Sequence, residues 1–380
     1  MIVFPPFFSG VNLSIFNMAK KIQSALQIQK GVEQPDNLNP RMHQLLGRHK
    51  KNILPVNDYV SGILQGDRVL LSQAITLIES AKPEHLQIAQ QIIERCLPYS
   101  NKSIRIGITG TPGVGKSTFI EAFGQYVIAQ QRKVAVLAID PSSKISGGSI
   151  LGDKTRMQYL TRSEKAFIRP SAAGEELGGV ARKTRETIIL CEAAGYDTII
   201  IETVGVGQSE TAVHSMCDFF LLLLLPGAGD ELQGIKRGIV EMADLIAVNK
   251  ADEDREMLAR QAKAAYQNAL QLFPPKENGW IPQALTCSAL SKKGIDDIWE
   301  AILQFKKVTS ENGYFEKHRK MQSQFWMQES ISEGLNKLFY ENPEVKLAIE
   351  KADEAIERAS MTPFKAAEQI LDLFLKTQKK

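Results

Sequence analysis

Cysteine is scarce in this sequence, and its few copies are far apart. The 380 residues include four, Cys96, Cys191, Cys217 and Cys287, with no C-x-x-C pair. This spacing excludes a disulfide framework and a zinc knuckle. Three of the four lie in apolar helix or strand patterns, which indicates reduced thiols in the core of a cytoplasmic protein.

Long hydrophobic runs and strong charge are also missing. The longest apolar run, residues 219–225, is far shorter than the roughly 20 residues of a membrane-spanning helix, and it suits a strand buried on both faces. The net charge is only +3, with no Lys/Arg-rich block. We therefore predict neither a membrane segment nor binding to nucleic acid.

Strand-like and helical patterns alternate from Ser103 to about Lys307. This alternation predicts an α/β fold, in which a mostly parallel sheet is flanked by helices. Helical patterns precede and follow it, and the C-terminal one is interrupted at Asn342-Pro343 and at Thr362-Pro363. The predicted strands cover residues 104–109, 134–139, 198–202, 219–225, 245–249 and 284–287.

A glycine-rich motif follows the first predicted strand and opens a helix. It fits G-x-x-x-x-G-K-[ST], a P-loop whose backbone N–H groups face phosphates at a helix N-terminus. Lys116 is expected to reach the β- and γ-phosphates, and the Ser117 hydroxyl to ligate Mg²⁺. The alternative is a glycine-rich turn without a ligand, but the strand–loop–helix context favours a P-loop. The predicted phosphate-binding residues are Gly110, Thr111, Pro112, Gly113, Val114, Gly115, Lys116, Ser117 and Thr118.

A second motif, N-K-A-D at residues 249–252, follows the strand pattern at 245–249. The Asp252 carboxylate suits the paired donors of guanine, which adenine lacks, so GTP is favoured over ATP. Asn249 is expected to tie this loop to the P-loop, and the Lys250 stem to cover the base. After the last strand pattern, the Ala289 N–H is expected to meet guanine O6. The predicted base-binding residues are Asn249, Lys250, Asp252, Ser288, Ala289 and Leu290.

The loops after the second and third predicted strands carry candidate switch residues. Asp140 and Asp153 are candidate ligands of Mg²⁺ through water, although Asp140 also suits a plain Asp-Pro turn. Glu202 would stand near the metal, and the Gly205 N–H would sense the γ-phosphate. Val206 follows Gly205 where Ras-like proteins have a water-positioning Gln, and Gln208 is out of register, so slow hydrolysis is expected.

Glycines surround two basic residues, Lys236 and Arg237, after the fourth predicted strand. One interpretation is a loop that swings toward the phosphates. The other is an ordinary strand-to-helix turn with solvated basic residues, and composition alone does not separate them.

Several long motifs resemble the MeaB/ArgK family of G proteins, which includes the methylmalonic aciduria type A protein. They are D-P-S-S, S-G-G-S-I-L-G-D-K-T-R-M, E-T-V-G-V-G-Q-S-E, G-D-E-L-Q-G-I-K-R-G and N-K-A-D, with G-D-R at 66–68, A-I-T-L-I-E at 74–79 and T-P-F-K-A-A-E at 362–368. The resemblance extends from about Tyr59 to Lys376. Residues 1–57 carry no match to it.

The resemblance implies a function: a GTP-hydrolysing chaperone that gates cofactor loading and protection of an adenosylcobalamin-dependent acyl-CoA mutase. The partner would be methylmalonyl-, isobutyryl- or ethylmalonyl-CoA mutase, with the first favoured. It also implies an Mg²⁺ and switch shell of Asp140, Asp153 and Glu202, a partner-responsive Lys236, and a homodimer built through the C-terminal helices. The expected catalytic residues are Lys116, Asp140, Glu202 and Lys236, and the expected cofactors are GTP/GDP and Mg²⁺.

Two other functions share these nucleotide motifs. A metal-delivery GTPase would need a Cys/His transfer site, whereas the five histidines are scattered. A nucleotide-responsive binding protein would have negligible turnover alone.

We divide the chain into four parts. They are a poorly ordered tail and linker at 1–57, an N-terminal helical segment at 58–100, a P-loop GTPase domain at 101–308 and a C-terminal dimerisation arm at 309–380. Residues 1–17 are expected to be an upstream extension or disordered tail, with a cleaved targeting peptide as the alternative.

Overall fold

A computed structural model describes residues 53–139, 157–170, 177–203, 209–227, 237–252 and 254–377. Within these ranges, seven strands form one sheet in which every neighbouring pair is parallel. The strands are β1 (Ile104–Gly110), β2 (Val134–Ile139), β3 (Ala166–Arg169), β4 (Thr198–Thr203), β5 (Phe219–Leu224), β6 (Leu245–Val248) and β7 (Gln283–Thr286). Their order across the sheet is β3-β2-β4-β1-β5-β6-β7.

Helices precede the sheet, alternate with its strands and follow it. The first three are α1 (Val56–Leu64), α2 (Arg68–Glu79) and α3 (Pro83–Cys96), followed by a short 3₁₀ helix (Leu97–Tyr99). Those between strands are α4 (Lys116–Ala129), α5 (Gln158–Arg162), α6 (Leu177–Ala193), α7 (Ser209–His214), α8 (Arg237–Met242) and α9 (Glu256–Gln271). The last four are α10 (Ile295–Glu311), α11 (Tyr314–Tyr340), α12 (Pro343–Glu357) and α13 (Pro363–Thr377).

The predicted fold class is confirmed, with one strand missed. The six predicted strands all form, each with ends within one residue of the prediction. Strand β3 was absent from the prediction, so β4 is the fourth strand in chain order rather than the third. Four residues, A-F-I-R, pair only with β2 at the edge of the sheet. So short a run carries too little periodicity to predict a strand.

Both faces of the sheet are covered, which is why its strands read as continuous apolar runs. Every residue of β1 and β5 is buried. Alternate side chains point to opposite faces, so Ile106 packs in one core cluster with Phe119 and Trp299 of α4 and α10. Ile201 of β4 packs on the other face with Ile75 of α2.

The two predicted breaks in the C-terminal helices are confirmed. The Asn342 side chain caps α12 by accepting hydrogen bonds from the N–H groups of Glu344 and Val345, at 2.9 and 3.3 Å. Pro343 then occupies the first turn, where a missing N–H costs nothing. The last helix likewise begins at a proline, Pro363. No helix in the described ranges combines the length and apolar character needed to cross a membrane.

Candidate nucleotide site

The loop after β1 has the backbone that a P-loop requires. Gly113 and Gly115 have φ angles of 81° and 92°, a left-handed region that side chains other than glycine rarely occupy. A Cβ on Gly115 would also lie 3.1 Å from Asn249 Nδ2. Helix α4 starts directly afterwards, with the Phe119 N–H donating to the Gly115 carbonyl at 2.8 Å. The free N–H groups of its first turn therefore face the loop.

The Lys116 ammonium lies folded over its own loop. Its Nζ donates to the Gly110 carbonyl at 2.8 Å and is 3.5 Å from the Thr111 carbonyl oxygen. Burial lowers the pKa of Lys116, while the carboxylates of Glu202 and Glu210 act in the opposite direction. A phosphate is a stronger partner than these neutral carbonyls, so the ammonium is placed to exchange them for an anion.

The end of β4 lies against the end of β1. The Thr203 hydroxyl donates to the Thr109 hydroxyl at 2.9 Å, and both side chains are buried. Glu202, one residue earlier, is also buried. Glu210, in the first turn of α7, is a second buried carboxylate whose charge reaches Lys116. Sequence reasoning missed Glu210, because a single acid at the start of a helix suggests only a favourable charge at its N-terminus.

The loop after β6 is tied to the P-loop by two side chains. Asn249 Nδ2 donates to the Val114 carbonyl at 2.9 Å, and Lys250 Nζ donates to the Gly113 carbonyl at 2.8 Å. The predicted link from Asn249 to the P-loop is thus confirmed. Lys250 adopts a φ of 60°, which turns the chain sharply at the strand end. The phosphate and base loops are therefore assembled into one surface.

Ser288 orients the Asp252 carboxylate. Its Oγ donates to Asp252 Oδ1 and accepts from the Ser291 N–H at 3.1 Å. Ser288 is fully buried, whereas Asp252 is half-buried. The Ser288 hydroxyl therefore fixes one oxygen of the Asp252 carboxylate, while the carboxylate stays accessible to solvent. This geometry suits a carboxylate that receives two hydrogen bonds from a base.

The Ala289 N–H has a hydrogen-bond partner within the protein, and its contact with guanine stays a prediction. It donates to Asn249 Oδ1 at 3.0 Å, so a contact with guanine O6 would require this bond to be shared or exchanged. Leu290, the next residue, is 81% exposed at the rim of the loop.

Four predicted site residues, Asp140, Asp153, Gly205 and Lys236, lie outside the described residues, and their roles stay predictions. Ser117 follows Lys116 in the first turn of α4, and Pro112 and Thr118 are exposed at the same loop and turn. Across the described ranges, no three His, Cys, Asp or Glu side chains are grouped to hold a metal ion.

Comparison with known proteins points to one family. The family model described as "Methylmalonyl Co-A mutase-associated GTPase MeaB" matches residues 71–344. The chain is 46% identical to GTPase ArgK of Escherichia coli (strain K12) over 314 residues, covering 83% of this chain and 95% of that protein. It is 42% identical to the mitochondrial methylmalonic aciduria type A homolog of Mus musculus over 329 residues, covering 84% and 79% of the two chains.

A solved structure agrees with these relatives. The crystal structure of a LAO/AO transport system kinase superposes with a TM-score of 0.70 at 37% identity, covering 85% of this chain and all of that one. The P-loop, the guanine-type base loop and these matches lead to one conclusion: the chain belongs to the MeaB family of mutase-associated GTPases.

Proposed function

We propose that this GTPase is a chaperone that gates cofactor loading and protection of an adenosylcobalamin-dependent acyl-CoA mutase, with methylmalonyl-CoA mutase as the first candidate. The observation that carries the proposal is the coupling of the two nucleotide loops through Asn249, within a chain of the mutase-associated family. In a site of this kind the protein adopts different conformations with GTP and with GDP, and a gating protein needs such a difference.

The phosphate end of the site would be held by α4 and its loop. Lys116 would leave the Gly110 and Thr111 carbonyls for the β- and γ-phosphates. Mg²⁺, held by Ser117 with Glu202, Asp140 and Asp153 in its shell, would neutralise charge that develops on the phosphates. Glu202 is buried and its charge acts on Lys116, which supports a place for this carboxylate near the phosphate-binding loop.

The base end would select guanine through Asp252. Its carboxylate, oriented by Ser288, accepts two hydrogen bonds from guanine, whereas adenine would leave it without donors. Lys250 would lay its aliphatic stem along the base, since its Nζ already reaches across to the P-loop.

Hydrolysis would depend on the partner. The sequence has Val206 directly after Gly205, so no glutamine there orders the attacking water. An activating partner that reshapes the loops near the γ-phosphate raises the rate of other GTPases by roughly 10³–10⁵. Lys236, in its glycine-rich loop, is the residue that we assign to this response.

The proposal is tested by loading apo-mutase with adenosylcobalamin and following cobalamin absorbance. We expect loading to differ clearly between GTP, GDP and a non-hydrolysable GTP analogue when the chaperone is present, and not when it is omitted. Methylmalonyl-, isobutyryl- and ethylmalonyl-CoA mutases should be compared in parallel. Loading that ignores the nucleotide with all three would overturn the chaperone role and leave the GTPase assignment intact.

The proposed assembly is a homodimer formed through the C-terminal helices. Ile331, Leu335 and Leu338 of α11 are 53, 58 and 63% exposed, and exposed large apolar side chains at three- and four-residue spacing suit a helix-to-helix interface. Leu335→Glu should shift sedimentation toward monomer. Leu272→Glu, at a leucine that is 86% exposed outside this arm, is the matched control. An unchanged mass for Leu335→Glu would contradict this interface.

The four cysteines are buried and free, which supports a reducing compartment, and we propose the cytoplasm. Burial raises the pKa of Cys287 to about 12 and that of Cys96 to about 11. These thiols are therefore poor metal ligands at neutral pH, and this disfavours the metal-delivery alternative.

A further inference from the structure

The long helix α11 has two different faces. Phe315, Arg319 and Gln322 are buried and Trp326 is half-buried, and their spacing of four, three and four residues places them on one side of the helix. The exposed apolar residues Ile331, Leu335 and Leu338 fall on roughly the opposite side. Helix α11 therefore joins the nucleotide-binding part of the molecule to an apolar surface that faces away from it.

We call the side of α11 that carries Arg319, Gln322 and Trp326 its inner face, and the side that carries Ile331, Leu335 and Leu338 its outer face. The inner face binds one short turn of the GTPase domain. Gln322 Nε2 donates to the Cys217 carbonyl at 2.7 Å, and Trp326 Nε1 donates to the Ser215 carbonyl at 3.1 Å. Arg319 forms a two-pronged pair with Asp218, at 2.9 and 2.7 Å. All three partners lie between the end of α7 at His214 and the start of β5. Three residues on successive turns of α11 therefore bind the turn between α7 and β5.

The other end of α7 lies at the nucleotide site. Its first turn carries Glu210, whose charge acts on Lys116. Its Val213 packs directly on β1: a Cβ built on Gly107 would meet Val213 Cγ1 and Cys217 Sγ at 2.9 Å. A helix of only six residues therefore packs on β1, the strand that leads into the P-loop, and ends at the turn that α11 binds. Such packed elements shift as units because close contacts leave no room for gradual deformation.

We propose that Gln322 and Trp326 are positioning residues of the GTPase, which fix the turn after α7 and thereby couple the γ-phosphate end of the nucleotide site to the outer face of α11. This inference rests on the proposed nucleotide-gated function and adds the route by which nucleotide state reaches the C-terminal arm. A displacement of α7 on exchange of GDP for GTP is transmitted through the turn to α11, and an assembly on the outer face of α11 acts back on α7.

The test compares amide hydrogen exchange in α11 with GDP and with a non-hydrolysable GTP analogue. In the full-length wild type, exchange at residues 319–329 should differ between the two nucleotides by at least about fivefold. The double variant Gln322→Leu/Trp326→Phe keeps side-chain bulk but removes both bonds to the turn. It should reduce the difference to less than about twofold, and kcat should fall by about threefold or more with little change in KM.

Gln324→Leu, the same change at an exposed position of the same helix, is the control and should behave as wild type. If wild-type α11 exchanges identically with both nucleotides while amides of α4 and α7 respond, the coupling is wrong and the GTPase function stands. If α4 does not respond to either nucleotide, the proposed function itself fails. The wild-type comparison decides the question even if the double variant does not fold.

Discussion

Charged side chains have different partners at the two ends of the parallel strands. We call the side where the strands begin the amino edge and the side where they end the carboxyl edge. At the amino edge, Arg105 pairs with both oxygens of Glu192 at 3.0 Å, and Arg319 pairs with Asp218. All four side chains are at least nine-tenths buried. At the carboxyl edge, Lys116 and Lys250 are only half-buried and bond to neutral backbone carbonyls.

This difference separates the side chains that stabilise the fold from those that we expect to bind a ligand. A buried ion pair with ideal geometry is costly to break, so it keeps one arrangement. A lysine on a neutral carbonyl has a weaker partner and exchanges it readily for phosphate. We therefore expect substitutions at the amino edge to change stability, and substitutions at the carboxyl edge to change nucleotide binding with little change in stability.

The largest expected effect is at the amino edge. Arg319→Met leaves the Asp218 carboxylate buried without its cation, and removal of one partner of a buried pair costs about 3–5 kcal/mol. Urea unfolding should show this loss in the free energy of unfolding. Arg358→Met, which breaks an exposed pair with Glu354, should cost about 0.5 kcal/mol or less. Similar small losses for both variants would contradict the division between edges.

The Arg319–Asp218 pair also predicts how the free energy of unfolding depends on pH. Burial alone raises the pKa of Asp218, but the guanidinium groups of Arg319 and Arg105, together with the hydrogen bonds that these residues donate to the carboxylate, outweigh it and leave the pKa below its ordinary value. A carboxyl with a lowered pKa in the folded state adds stability above the unfolded value of about 3.9, and this is lost as pH falls through the folded pKa. The free energy of unfolding should fall more steeply in acid for wild type than for Arg319→Met.

At the carboxyl edge the strongest effect is expected from Lys116→Ala. Each lost charge-assisted contact to the phosphates costs about 1.5–3 kcal/mol, so GTP hydrolysis should fall below detection. Because the partners of Lys116 are backbone carbonyls of its own loop, the melting temperature should stay close to wild type. Phosphate release and thermal unfolding on the same sample check both points, and retained turnover would mean that the site is misplaced.

The base loop should set nucleotide choice. Asp252→Ala removes the acceptor for two guanine donors, so calorimetry should show a strong loss of GTP affinity and little change for ATP. Asp254→Ala, at an exposed carboxylate two residues away, is the matched control and should bind GTP as wild type does. Equal losses for GTP and ATP in Asp252→Ala would show that the carboxylate does not read the base.

The smallest expected effect is from Ser288→Ala. It leaves the Asp252 carboxylate in place but removes the hydroxyl that orients it, and this indirect loss should cost about 1 kcal/mol of binding free energy. GTP affinity should fall roughly five- to tenfold by calorimetry, well short of the loss in Asp252→Ala. A loss as large as that of Asp252→Ala would indicate that Ser288 itself contacts the nucleotide.

The same contrast explains what the sequence predicted. The P-loop and base motif were recognisable because each is a short run of neighbouring residues at a strand end, and their strands were predicted to within one residue. The Arg319–Asp218 pair was not, because its partners are 101 residues apart in sequence and only the packing of α11 against the turn before β5 brings them together. Glu210 was not predicted for the same reason, since its position relative to Lys116 depends on how α7 packs on β1.

The measurement that tests the central claim most directly is steady-state phosphate release from GTP, alone and with an adenosylcobalamin-dependent acyl-CoA mutase. We predict slow release alone and clear stimulation by the cognate mutase, with Lys236→Ala losing most of the stimulation while its basal rate and GTP affinity stay near wild type. A rate that none of the three candidate mutases changes would contradict the assignment of this GTPase as a mutase-responsive chaperone.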